Sequence, residues 1–118
     1  MKILITGSKD FSDYPFFKRK MVRLTSKLTK YTIVTGSSWH AANRCAATWC
    51  FENAITRIVH NPDEKKDKTG EITAKEMATN ADMAILFLTK KRDKDPVLAM
   101  VIKTLVEQKK KMRVILWN

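Results

Sequence analysis

No stretch of the chain approaches the roughly 20 consecutive apolar residues that a membrane-spanning helix needs. The longest candidate, Met83–Leu88, has the length of a strand. Met1-Lys2 runs straight into Ile3-Leu4-Ile5, too short for a secretory signal and without a small-residue cleavage site. Cysteine is scarce: Cys45 and Cys50 are the only two. Five positions apart on a helix, they point about 140° from one another, which suits neither a disulfide nor a shared metal. The two histidines, His40 and His60, lack Cys or carboxylate neighbours at ligand spacing. Neither a Ser-His-Asp set nor a pair of carboxylates can be placed by spacing. The chain shows no internal repeat and no low-complexity tract. The expectations are a reduced, cytoplasmic protein without membrane segment, metal or cofactor.

Acidic residues are the other scarcity. Twelve Asp and Glu stand against 23 Lys and Arg, a formal net charge of +11, and from Pro15 to Phe51 there is no acid at all. Enzymes of small neutral metabolites need no such imbalance, whereas phosphates, nucleic acid, anionic lipid and acidic proteins are all attracted by it. Lys20, Arg23, Lys27 and Lys30 recur at i, i+3, i+7 and i+10, a row along one side of the first predicted helix, with Arg19 at its edge. A solvated helix face usually mixes signs; this one has no internal partner. Lys90, Lys91, Arg92 and Lys94, diluted by Asp93 and Asp95, form a second cluster. Lys109-Lys110-Lys111 reads as cations offsetting the negative end of the last helix. Asp63–Lys68 mixes signs and reads as a solvated loop.

With 118 residues, 44% of them hydrophobic, the chain has room for one core, and residues 1–118 are expected to form one domain. Five short runs rich in Val, Ile and Leu are strand candidates: Lys2–Thr6, Tyr31–Thr35, Thr56–His60, Met83–Leu88 and Met112–Trp117. They are continuous rather than alternating, as in strands buried on both faces of a parallel sheet. Helix-length segments separate them. The first is predicted to start near Pro15, behind Ser12 and Asp13, and to bury Phe17, Met21, Leu24 and Leu28. The second runs from Trp39 to Asn53, with Trp49 and Phe51 in the core. The third covers Glu71–Asn80, with Asn80 capping its end. The fourth starts at Pro96 and buries Val97, Met100, Val101 and Leu105. The fold class is α/β: a three-layer sandwich of about five mostly parallel strands with helices on both faces.

In such sheets ligands bind beyond the strand C-termini. Gly7-Ser8-Lys9 follows the first strand and Gly36-Ser37-Ser38-Trp39-His40 the second. Glycine permits a sharp turn, and free N–H groups with Ser hydroxyls can hold phosphate oxygens. Gly7, Ser8, Lys9, Gly36, Ser37, Ser38 and His40 are therefore candidate phosphate ligands. Trp39 is a candidate for stacking on a base or packing at a subunit interface. A valine at Gly7 is expected to leave the fold intact and remove binding.

Ile3-Leu4-Ile5-Thr6-Gly7-Ser8-Lys9-Asp10 resembles the "ILVTGSRD" opening of the YspA/YpsA-related branch of the SLOG superfamily, which includes DNA-processing proteins and the lonely-guy cytokinin-activating enzymes. Ile33-Val34-Thr35-Gly36, with Ala42–Ala46 and Trp49, is similar to its second motif, "VVxGGARGADRLAxxWA". Lys75-Glu76-Met77, Ala81-Asp82 and Ile85-Leu86-Phe87 are similar to "NREM…AD…IAF". The resemblance implies a Rossmann-like domain whose strand-end loops bind a nucleotide or nucleotide-derived ligand. The chain departs from the pattern in four places. Ser37–His40 replace small residues, Asn43 stands at the acidic position, and Thr73-Ala74 stand where the family has Arg-Asn. Thr89–Pro96 contains no glycine where the lonely-guy enzymes carry "PGGxGTxxE".

Those departures point to an inherited fold without the family's enzymatic activity. The leading expectation is a non-enzymatic binder of a polyanion, nucleic acid foremost. Its contacts would be the strand-end loops, Arg19, Lys20, Arg23, Lys27, Lys30, Trp39, Lys90, Lys91 and Arg92. A nucleotide sensor or sequestering protein, and a module docking on an acidic partner protein, are the alternatives; a homo-oligomer is compatible with each. Small size, few glycines and many lysines suit a bacteriophage accessory protein.

Overall fold

The computed structural model describes residues 1–37, 41–90 and 95–117. Strands and helices alternate: β1 (Lys2–Gly7), α1 (Tyr14–Thr25), β2 (Thr32–Gly36), α2 (Ala41–Asn53), β3 (Arg57–His60), α3 (Glu71–Asn80), β4 (Met83–Thr89), α4 (Pro96–Glu107) and β5 (Lys111–Trp117). The strands form one all-parallel sheet in the order β3-β2-β1-β4-β5, the order of the Rossmann fold.

The two-residue period of each strand sorts its side chains between two cores. Ile3, Ile5, Ile33, Ile85 and Phe87 pack with Phe17 and Met21 of α1 and with Ala42, Cys45, Ala46, Trp49 and Cys50 of α2. Leu4, Val34, Ala84 and Leu86 pack with Ala74, Met77 and Ala78 of α3 and with Val101 and Leu105 of α4. Thus α1 and α2 cover one face and α3 and α4 the other. Two-sided burial holds for β1, β2 and β4. The edge strands differ: on β5 exposed and half-buried residues interleave, and Val114 and Leu116 face solvent.

Local chemistry sets the helix ends. Asp13 caps α1 by accepting from the Phe16 N–H at 3.0 Å. Its other oxygen accepts from the Trp117 indole at 3.1 Å, tying α1 to the end of β5. Helix α1 stops at Thr25, where hydroxyls take its last carbonyls: Thr25 donates to Met21 O at 2.7 Å and Ser26 to Arg23 O at 3.0 Å. Leu28, Lys27 and Lys30 therefore lie beyond the helix, and the expected four-residue basic row keeps only Lys20 and Arg23 on it.

Three further expectations are corrected. Phe51 is 90% exposed, because it lies two residues from buried Trp49, on the opposite side of α2. Asn80 does not cap α3; its Oδ1 accepts from Lys2 Nζ at 2.9 Å and its Nδ2 meets His60 Nε2 at 3.3 Å. The end of α3 is held by Lys110, whose ammonium donates to the carbonyls of Ala78, Thr79 and Ala81 at 2.6–2.9 Å. The cation offsets the negative end of a neighbouring helix rather than of its own. Helix α4 instead closes on Lys109 in the left-handed region (φ 54°), with N–H bonds from Lys109 to Val106 O and from Lys110 to Leu105 O.

Candidate functional site

A sheet of this order reverses direction between β1 and β4, and the crevice there is the expected ligand site. In this chain the loop after β1 is hydrogen-bonded to β4 there. Ser8 N–H donates to Phe87 O at 2.9 Å, and Thr89 N–H donates to Ser8 Oγ at 3.0 Å. Thr89 Oγ1 donates to Asp10 Oδ1 at 2.7 Å. Ser8 is buried, and a Cβ on Gly7 would lie 2.1 Å from Phe87 O. The glycine is required because β4 backbone passes where a side chain would stand. The expectation that valine is tolerated at Gly7 is corrected for that reason. Lys9 is exposed beside this closed loop.

A cavity lies on the other side of β2. About 490 Å³ in volume, it is bounded by Gly36 and Ser37 after β2, His60 and Pro62 after β3, the loop from Glu64 to Gly70, Thr73 and Met77 of α3, and Val97 of α4. Its size suits a small organic ligand or nucleotide. Gly36 has room here, since a Cβ would meet Asn43 Nδ2 at 3.5 Å and Met77 Sδ at 3.7 Å, ordinary contacts. Of the expected phosphate ligands, Gly36 and Ser37 line this cavity, while Gly7 and Ser8 are bonded to β4. Ser38, Trp39, His40, Lys91 and Arg92 lie outside the described residues; Lys90 is exposed.

Asp67 is the wall residue that the sequence reading missed. Expected in a solvated loop, it is buried beneath the start of α3. Its carboxylate accepts from Ile72 N–H at 3.1 Å, Thr73 N–H at 2.8 Å and Thr73 Oγ1 at 2.7 Å. The N-cap residue of α3, Gly70, has φ 82° and makes no side-chain cap, so Asp67 caps the helix from three residues further back. Burial opposes its charge, but the bonds from Thr73, Ile72 and Gly70 outweigh burial and hold the carboxyl below its ordinary range. An Asp three residues before a glycine that opens a helix was the available signal. The carboxylate occupies the anion position of α3.

On the opposite face, Lys18, Arg19 and Arg23 of α1 are exposed, as are Lys27 and Lys30 beyond it. Arg19 and Lys20 lie over the Phe16 ring at 5.8 and 5.4 Å. Among the described residues Lys18, Arg23, Lys27 and Lys30 meet no carboxylate. Cys45 and Cys50 are free and buried, and burial pushes both thiols up to about 11. No helix among the described residues is long and apolar enough to cross a membrane.

The model of one family, described as YspA, cpYpsA-related SLOG, matches residues 1–66. The chain belongs to that family. The match spans β1 through β3 and ends just before Asp67, so the SLOG half supplies Gly36, Ser37, His60, Pro62 and Glu64 to the cavity. The walls from Asp67 to Val97 lie beyond it, as do the Lys75–Phe87 stretch and the glycine-free segment after β4. No curated protein and no solved structure matches the chain.

Proposed function

We propose that this SLOG protein binds a nucleotide or nucleotide-derived ligand in the cavity beside Gly36 and acts as a sensor or sequestering protein without turnover. The observation that carries this reading is the cavity's position. It opens at the C-terminal ends of β2 and β3, and one wall is the Gly36–Ser37 turn of the family's second motif. Pro62, Met77 and Val97 offer an apolar bed for a base. Ser37 and Thr69 hydroxyls, His60 and Lys68 offer polar contacts. Absence of turnover rests on the sequence alone, since Thr89–Pro96 lacks the glycine-rich acid motif of the lonely-guy enzymes.

A thermal-shift screen of nucleotides tests it. A ligand at about a hundredfold its Kd stabilises by roughly 2.7 kcal/mol and should raise the Tm by roughly 10 °C. Ser37 is exposed, so Ser37→Trp places a ring at the cavity wall without disturbing the core and should abolish the shift. An undiminished shift in Ser37→Trp would remove the cavity as the site.

A second reading, binding of a polyanion such as nucleic acid, is favoured by the basic face. Residues 14–53 hold seven Lys and Arg against Glu52 alone.

A further inference from the structure

Phe51 is the most exposed large apolar side chain among the described residues, at 90%. It shares one stripe of α2 with Arg44 and Thr48, at i, i+4 and i+7, and all three face solvent. Beside it, Glu52 accepts the hydroxyl of Tyr14, which sets this edge of α2 against the start of α1. A hollow of about 190 Å³ bounded by Tyr14, Arg44, Thr48 and their neighbours lies along the seam. Lys18, Arg19 and Arg23 of α1 are exposed, and Lys27 follows in the turn. Glu52, the single carboxylate of residues 14–53, is engaged by Tyr14 and does not neutralise these cations. The opposite helical face is different: α3 and α4 carry Lys75 and Lys103 against Glu71, Glu76 and Glu107.

From an exposed aromatic ring on α2 and unneutralised cations on α1, two helices that cover the same face of the sheet, we infer that the α1/α2 surface binds single-stranded nucleic acid. Phe51 stacks on a base, and Lys18, Arg23 and Lys27 take the backbone phosphates. The inference rests on the second reading above and names its ligand. Cations alone attract duplex and single strand alike, through counterion release. A ring standing clear of the surface adds affinity only for a base that is itself unstacked, and it does so for any base because each has a π face.

Fluorescence anisotropy with a labelled oligothymidylate and with a duplex of equal length, on the full chain, tests this. Phe51→Ala should weaken single-strand binding roughly 5- to 100-fold and leave duplex binding unchanged. The slope of log affinity against log salt should also stay the same, because no charge is altered. Phe51→Trp should restore the affinity, and a thermal melt should show every variant folded, since the ring makes no core contact. In a parallel arm, Lys18→Glu/Arg23→Glu/Lys27→Glu should lose both ligands. If Phe51→Ala binds the single strand as wild type does while the triple variant loses it, the stacking role is overturned and the basic-face reading stands. If wild-type protein binds neither nucleic acid, or the triple variant binds both undiminished, the basic-face reading falls as well.

Discussion

Gly7 and Gly36 both end inner strands, yet an added methyl group would have opposite consequences at the two. At Gly7 it would sit 2.1 Å from Phe87 O, against backbone that is hydrogen-bonded through Ser8 and cannot retreat. At Gly36 it would meet a side-chain amide and a methionine sulfur at ordinary contact distance. Gly7→Ala should therefore cost roughly 3 kcal/mol or more, and Gly36→Ala less than about 1 kcal/mol. Urea denaturation midpoints of the two variants should differ accordingly, and equal midpoints would remove the steric account of Gly7. In the sequence the two glycines look alike, each a strand end followed by serine. What separates them is whether a neighbouring strand passes within reach, and that neighbour is some eighty residues away in the chain.

At the scale of the element, α3 starts without a cap of its own and relies on Asp67. The carboxyl is held below its usual value of 3.8, so its stabilising bonds are fully present above the unfolded-state pKa. They are lost as pH falls through the lower, folded-state pKa. Asp67→Asn should lower the Tm by several degrees at neutral pH. The gap to wild type should narrow as the pH falls below the usual carboxyl value of 3.8, where wild-type protein loses the charge as well. Thermal melts above and below that value check this, and a gap that stays constant with pH would show that shape, not charge, caps the helix. Asp13 contributes with the same sign, lowered by the Phe16 N–H, the Trp117 indole and nearby Arg19. Its capping role was legible, because Asp13 stands directly before the helix and Pro15 in its first turn. The role of Asp67 was not, because it sits in a polar run of mixed charge and is buried only once the loop folds under α3.

Across the whole molecule, the sheet separates a strongly basic helical face from one of mixed charge, and the net charge of +11 makes the compact state repel itself. Lys18→Glu/Arg23→Glu/Lys27→Glu changes exposed positions only and lowers the formal charge from +11 to +5. Lys20 and Arg19 are better left in place, since both lie over the Phe16 ring. Without ligand, the triple variant should melt higher than wild type at low salt. The difference should fade at about 1 M salt, where the Debye length is only about 3 Å. A lower melting temperature at low salt would mean that these cations are neutralised within the fold.

The chain's local patterns determined the α/β class, the alternation of five strands with four helices, the N-cap before Pro15, the helix start at Pro96, and the family, carried by Ile3–Asp10 and Ile33–Ala46. Each depends on residues within a few positions of one another: a two-residue period, a cap one residue before a helix, a turn at a strand end. Only the tertiary structure decided that the loop after β1 is bonded to β4 and that a cavity opens at the ends of β2 and β3. It likewise decided that Asp67 is buried, that Phe51 is exposed and that Lys110 closes α3 rather than α4. The bonds responsible join Ser8 to Thr89 and Lys110 to Ala78, Thr79 and Ala81. Local sequence sets which groups need partners; strand order and helix packing bring distant groups within hydrogen-bonding distance to supply them.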